Sequence, residues 1–164
     1  MILLFSSAFC GLFQRPETVT SEGSPVPPMS FPADNGDTVS TSDMIGKWTV
    51  LYFYPRDDTP GCTTEAINFT ILLEEYHASG AQVFGINTDS PESHRNFKKK
   101  HKLGVTLLTD TGMQASKEFG IRVIAGMCAR DSVLINPEGR VEKFYRGVNP
   151  AGSPAEILKY IQSK

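Results

Sequence analysis

The run Lys47–Pro55, KWTVLYFYP, constrains the chain more than any other stretch. Near-continuous apolarity over the length of one strand, with no alternation of polar residues, fits a strand covered on both faces, and Pro55 stops it. Such a strand needs layers on either side. The following residues switch period: Ala66, Phe69, Leu73 and Tyr76 recur at spacings of three and four, predicting an amphipathic helix over 63–79 closed by Gly80. AQVFGIN (81–87) reads as a second buried strand. DSPESHRNFKKKHKLG opens a helix with Ser90 as N-cap and Pro91 at the first position. Its basic run Lys98–Lys102 is read as a solvated helix end, with no function assigned. VTLLTD is a third strand and GMQASKEFG a short helix. DSVLIN and RVEKFYRG form a hairpin about the turn PEG, and SPAEILKYIQ is a last helix in which Ser153 and Glu156 have capping-box spacing. This order predicts an α/β fold, a central mixed sheet with helices on both faces.

The 164 residues suit one domain, large enough to form a core without disulfides. Residues 21–164 are assigned to it, beginning with a proline-rich lead-in of loops and edge structure to about residue 37. Residues 1–20 are read as an N-terminal extension, possible as a targeting segment. Their apolar residues suggest one, but they lack a positive n-region and a run long enough to span a bilayer. A net charge of −2 argues against nucleic acid or an anionic membrane as partner. Three cysteines do not make a secreted disulfide framework and point to a reducing, cytoplasmic setting, or an organellar or exported one if the N-terminus is a targeting segment. His77, His94 and His101 show no grouping with cysteine that would hold a metal.

Cys62 lies where the strand pattern gives way to the helical one, in FYPRDDTPGCTTEA. With Thr59 near the N-cap and Pro60 at the first position, Cys62 falls in the first turn, where unpaired N–H groups favour the thiolate, the nucleophilic form. A small apolar filler at a helix start accounts for the position equally well. Glu65 is read as a first-turn acid suited to the helix N-terminus rather than as a base.

The segment resembles the active-site signature of the peroxiredoxins, Pro-x-x-x-Thr-x-x-Cys, here Pro55, Thr59 and Cys62. GKWTVLYFYP, TDSPESHRNF, LLTDTG and RDSVLINPEGRV also resemble their counterparts in the PrxQ, or bacterioferritin comigratory, subgroup. That resemblance implies a thioredoxin-like fold and a thiol-dependent peroxidase acting on hydrogen peroxide or small organic hydroperoxides without metal or organic cofactor. Cys62 would be the peroxidatic cysteine, oxidised to a sulfenic acid. Thr59 would hydrogen-bond the peroxide or cap the helix, and Pro55 would shape and shield the loop. Arg130 matches the family arginine that steadies the thiolate and polarises the peroxide. The reductant would be thioredoxin, glutaredoxin or a low-molecular-weight thiol, and the chain a monomer or weak dimer.

The sequence departs from the subgroup at Ile67, where many members carry a resolving cysteine, and the helix of residues 90–102 has none either. Resolution then falls to Cys128, to Cys10 or to an external thiol, and the one-cysteine cycle is preferred. If its stretch is extended, Cys128, two residues before Arg130, points the same way and so towards the site. As a loop residue it is packing. A non-enzymatic sensor or holdase on the same fold is the rival in another class. A disulfide oxidoreductase would want a second cysteine at position 65, which is Glu65.

Overall fold

The computed structural model describes residues 20–164. Its centre is a five-stranded sheet in the order β5-β4-β3-β8-β9. The strands are β3 (Trp48–Phe53), β4 (Ala81–Asn87), β5 (Thr106–Thr109), β8 (Asp131–Ile135) and β9 (Val141–Tyr145). β3, β4 and β5 run parallel, whereas β8 and β9 are antiparallel to their neighbours, so the sheet is mixed. β3 sits in the middle. Its even residues Val50 and Tyr52 face one core with Phe69, Tyr76 and Ile157, and its odd residues Leu51 and Phe53 face a second with Phe31, Phe119 and Ile121. That two-sided burial is why its sequence shows no alternation.

The first core is covered by α1 (Pro60–Ile71), α2 (Leu73–Ala78) and α5 (Ser153–Gln162), with Phe97 from α3 (Pro91–His101) joining it. α4 (Gln114–Glu118) covers the second, together with a hairpin of β1 (Ser30–Pro32) and β2 (Thr38–Ser40) followed by a 3-10 turn at Thr41–Met44. Tyr52 stacks on Phe69 with ring centroids 4.5 Å apart. Gly85 on β4 permits this, since a Cβ there would lie 2.6 Å from the Tyr52 ring and hydroxyl. No helix among the described residues is long and apolar enough to cross a membrane.

Four expectations are corrected. The helix read as continuous to residue 79 starts at Pro60, the first position expected of it, but breaks at Leu72 into α1 and α2. Thr64, Asn68 and Thr70 each donate a side-chain bond to the carbonyl four residues back, a competition that bends helices. The break lets Tyr76 turn inward and donate its hydroxyl to the Pro154 carbonyl at 2.5 Å. Ser153 does not form the capping box, because α5 has Gly152 at its N-cap. Asn149 gathers that turn instead, its Oδ1 accepting from Ala151 N and Gly152 N. The basic run of α3 is engaged, Lys98 with Asp34 and both Lys100 and His101 with Asp58. Finally, the stretch before Arg130 is a short hairpin, β6 (Val123–Ile124) and β7 (Met127–Cys128), turned by Ala125 and Gly126 at φ +50° and +76°. At the start of the described residues the Thr20 N–H bonds to the Glu118 carbonyl at 3.3 Å.

Candidate active site

Residues 54–59 carry the chain from the end of β3 to the start of α1. Thr59 is the N-cap by backbone conformation, at φ −101° and ψ 154°, and Pro60 opens the helix. Cys62 therefore lies in the first turn of α1. The residue is only 1 % exposed. The side chain of Thr59 does not cap the helix as expected; its Oγ1 donates to the Arg56 carbonyl at 3.0 Å. The hydroxyl oxygen thus keeps lone pairs free to accept. Pro55 directly follows the buried Tyr54 at the entrance of the loop.

Arg130 reaches this turn from the start of β8. Its Nη2 donates to Cys62 Sγ at 3.3 Å and its Nη1 to Glu65 Oε2 at 2.5 Å, so one guanidinium spans both groups. The fork is rigid and always charged, which suits it to hold an anionic sulfur in a fixed place. Its backbone is fixed too: the Arg130 carbonyl accepts from Val148 N at 3.0 Å, and the next residue, Asp131, pairs with Phe53 of β3 and accepts from Gly147 N and Arg146 Nη1. Gly61 leaves room for the guanidinium, since a Cβ there would stand 3.0 Å from Nη2.

Glu65 is not the solvated first-turn acid the sequence suggested. It is fully buried beneath the arginine, one helical turn after Cys62 on the same face. Burial pushes its carboxyl up to about 7, against the opposing charge and hydrogen bond of Arg130 and the influence of Ser153. Its Oε1 and Ser153 Oγ both lack a partner of standard geometry. The folded chain thus keeps this proton up to about pH 7, whereas a free glutamate releases it near 4.5. Between those values the folded state binds more protons, so the Glu65 share of stability falls as pH rises through the window. Urea titrations across it should show a slope, on the order of 3 kcal/mol in all, that Glu65→Gln removes. An identical slope in the variant would refute the assignment.

The structure does not bring Cys128 to this site. Cys62 belongs to the core on one face of the sheet and Cys128 to the core on the other. β7 ends at Cys128 and the chain bends at Arg130, where the Asp131 N–H turns back to the Ala129 carbonyl at 3.1 Å, so the direction that Cys128 would share with Arg130 in an extended stretch is not kept. Burial, reinforced by Asp110, Asp89 and Asp131, pushes the Cys128 thiol up to about 11 despite a contact with Ser116 Oγ at 3.6 Å. Such a thiol is a poor attacking group. Cys10 lies outside the described residues. Among the described residues no three or more His, Cys, Asp or Glu side chains converge to hold a metal.

A profile described as the AhpC/TSA family matches residues 23–144. The chain belongs to the AhpC/TSA family. Among the relatives of this AhpC/TSA protein, a chloroplastic peroxiredoxin Q of Sedum lineare is 39 % identical over 146 residues, 87 % of this chain and 78 % of that one. Among solved structures, a PrxQ mutant of Xylella fastidiosa superposes with a TM-score of 0.84 at 28 % identity, covering 90 % of this chain and 98 % of the other. A bacterioferritin comigratory protein of Xanthomonas campestris, in a study of its alkyl peroxide reduction activity, gives 0.78 at 29 % identity, with 90 % and 98 % covered. These likenesses bear out the thioredoxin-like fold and the peroxiredoxin resemblance read from the sequence. In this AhpC/TSA protein, sequence reasoning missed the buried position of Glu65 and the role of Gly61. The spacing of three between Cys62 and Glu65 was the available signal, since it puts both on one helix face.

Proposed function

We propose that Cys62 is the peroxidatic cysteine of this thiol-dependent peroxidase. The observation that carries the assignment is the guanidinium of Arg130 shared between Cys62 Sγ and buried Glu65 at the first turn of α1. Family membership and the peroxiredoxin Q relative make the chain a thiol-dependent peroxidase, and the sensor or holdase alternative is not favoured. In the first step the Cys62 thiolate attacks the terminal oxygen of a hydroperoxide. The S–O bond forms as the O–O bond breaks, giving a sulfenic acid and an alkoxide or hydroxide that takes a proton from water. Arg130 holds the thiolate and meets the charge that develops on the oxygens. The Thr59 oxygen accepts the peroxide O–H while its own proton stays on the Arg56 carbonyl, and Pro55 closes the loop beside it. Small organic hydroperoxides join hydrogen peroxide as substrates, a breadth supported by the alkyl peroxide reduction named for the Xanthomonas campestris protein.

An external thiol completes the cycle. It attacks the sulfenic sulfur, releases water and leaves a mixed disulfide, which a second thiol reduces. The opposite placement and raised thiol of Cys128 support this over an internal disulfide. Intact-mass analysis after one equivalent of peroxide, without added thiol, tests both parts. The expected product has gained one oxygen on Cys62. A chain that has instead lost two hydrogens into a Cys62–Cys128 bond would overturn the one-cysteine cycle, and an unmodified Cys62 would overturn the assignment itself.

A further inference from the structure

The loop that carries Pro55 and Thr59 is anchored by a buried polar cluster that the chemistry above does not use. Asp57 has a side chain only 4 % exposed. Its Oδ1 accepts from Tyr54 Oη at 2.7 Å and Asn87 Nδ2 at 3.3 Å; its Oδ2 accepts from Ser93 Oγ at 2.7 Å and faces His94 Nδ1 at 2.8 Å. Its own N–H donates to Asp89 Oδ2 at 2.8 Å. A carboxylate offers about four lone-pair sites, and all are taken here. Burial pushes this carboxyl up, but the hydrogen bond and charge of His94, with the donors Ser93 and Tyr54, outweigh it and hold it below the usual range. His94 is fully buried, and its Nε2 faces the Leu108 carbonyl at 3.1 Å. Both ring nitrogens thus lie within hydrogen-bond distance of an acceptor, which fixes the ring between the loop and β5.

We infer that Asp57 is the positioning residue of the active-site loop, acting as a carboxylate sequestered with His94 to fix where the Thr59 hydroxyl stands. The inference rests on the reading of Cys62 as peroxidatic. Only Asp58 separates Asp57 from Thr59. Asp58 is itself held at φ +57°, in the left-handed region that a non-glycine residue enters at a cost, and its carboxylate bridges Lys100 and His101 of α3, each at 2.6 Å. Once Asp57 is fixed, the loop has little freedom before Pro60 opens the helix. A buried polar cluster of this kind is useful mainly for the geometry it fixes. Arg130 is placed independently, from β8 and through Glu65, so the peroxide-binding and thiolate-holding halves of the site can be perturbed separately.

The test uses the full chain and two readouts, the second-order rate constant with hydrogen peroxide and the pH profile of Cys62 alkylation by iodoacetamide. In Asp57→Asn the shape is kept, but an amide N–H now meets groups that are themselves donors. The peroxide step should slow by about tenfold or more, the size expected of a small misplacement at the reacting centre, while the alkylation profile stays unchanged. Ser93→Ala and Tyr54→Phe each remove one donor and should slow it less, in the same direction; they carry the test if Asp57→Asn does not fold. Lys99→Met, exposed on α3 and outside the cluster and the clamp, should match the wild type. An unaltered peroxide rate in the folded variants, or alkylation falling in step with it, overturns the inference, since the latter marks general damage. A wild type inert to peroxide would overturn the functional reading and the inference with it, whereas a reactive wild type with unaffected variants sinks the inference alone.

Discussion

Cys62→Ser should abolish peroxide consumption while the chain stays folded. A serine hydroxyl does not ionise near neutral pH, and neither the helix N-terminus nor Arg130 supplies enough stabilisation to make it do so. Cys62 sits in the first core among Tyr54, Ala66 and Phe69, so exchanging sulfur for the smaller oxygen changes packing only slightly. Stability should move by about 1 kcal/mol or less. Peroxide consumption in the presence of dithiothreitol, followed beside the unfolding curve, gives both values. Residual turnover comparable to the wild type would show that another thiol does the work.

Removal of Arg130 should have the next largest effect, and it has two parts. Arg130→Met keeps the stem but deletes the donor to Cys62 Sγ and the counter-ion of Glu65. Losing one charge-assisted contact at the reacting centre should slow the peroxide step at least about tenfold. Breaking a buried pair by removing one partner typically costs about 3–5 kcal/mol. Here the loss should be smaller at pH 6 than at pH 8: with Arg130 present the Glu65 carboxyl stands at about 7, and without it higher, so at pH 6 the group is protonated in both proteins and no charge is stranded. Arg130→Met combined with Glu65→Gln should regain the stability and leave the rate low. Stopped-flow rates and urea unfolding on both variants separate the parts. A rate constant equal to the wild type would mean that Arg130 serves the fold alone.

The sequence carried the centre of the fold because β3 and β4 are buried on both faces, and double burial leaves an unbroken apolar run. It carried the short hairpins poorly. β6 and β7 are two residues each, too short for any period to register. The break at Leu72 was hidden because the apolar spacing runs on through it, while its cause lies in the polar residues Thr64, Asn68 and Thr70 on the other side of the helix. At the site, Pro55, Thr59 and Cys62 are contiguous and legible together, and Arg130 was visible only through resemblance. Glu65 was found but misjudged, since a carboxylate in a first turn usually faces water and nothing local announced an arginine above it. The partnership of Asp57 with His94 joins residues far apart in sequence through the packing of α3 against the sheet, which no spacing rule encodes.

The sheet that parts the two cores also sets how the oxidised enzyme ages. With Cys128 walled off on the far side, an oxidised Cys62 meets no second thiol in its own core among the described residues, and on the proposed one-cysteine cycle its lifetime becomes a bimolecular quantity inversely proportional to the thiol around it. Peroxide competes for the same sulfur, because a further molecule carries it to the irreversible sulfinic state. The fraction of enzyme lost per turnover then follows the ratio of peroxide to reductant rather than the dose of either, so inactivation reports the balance of the surroundings and stays low while thiol is in excess.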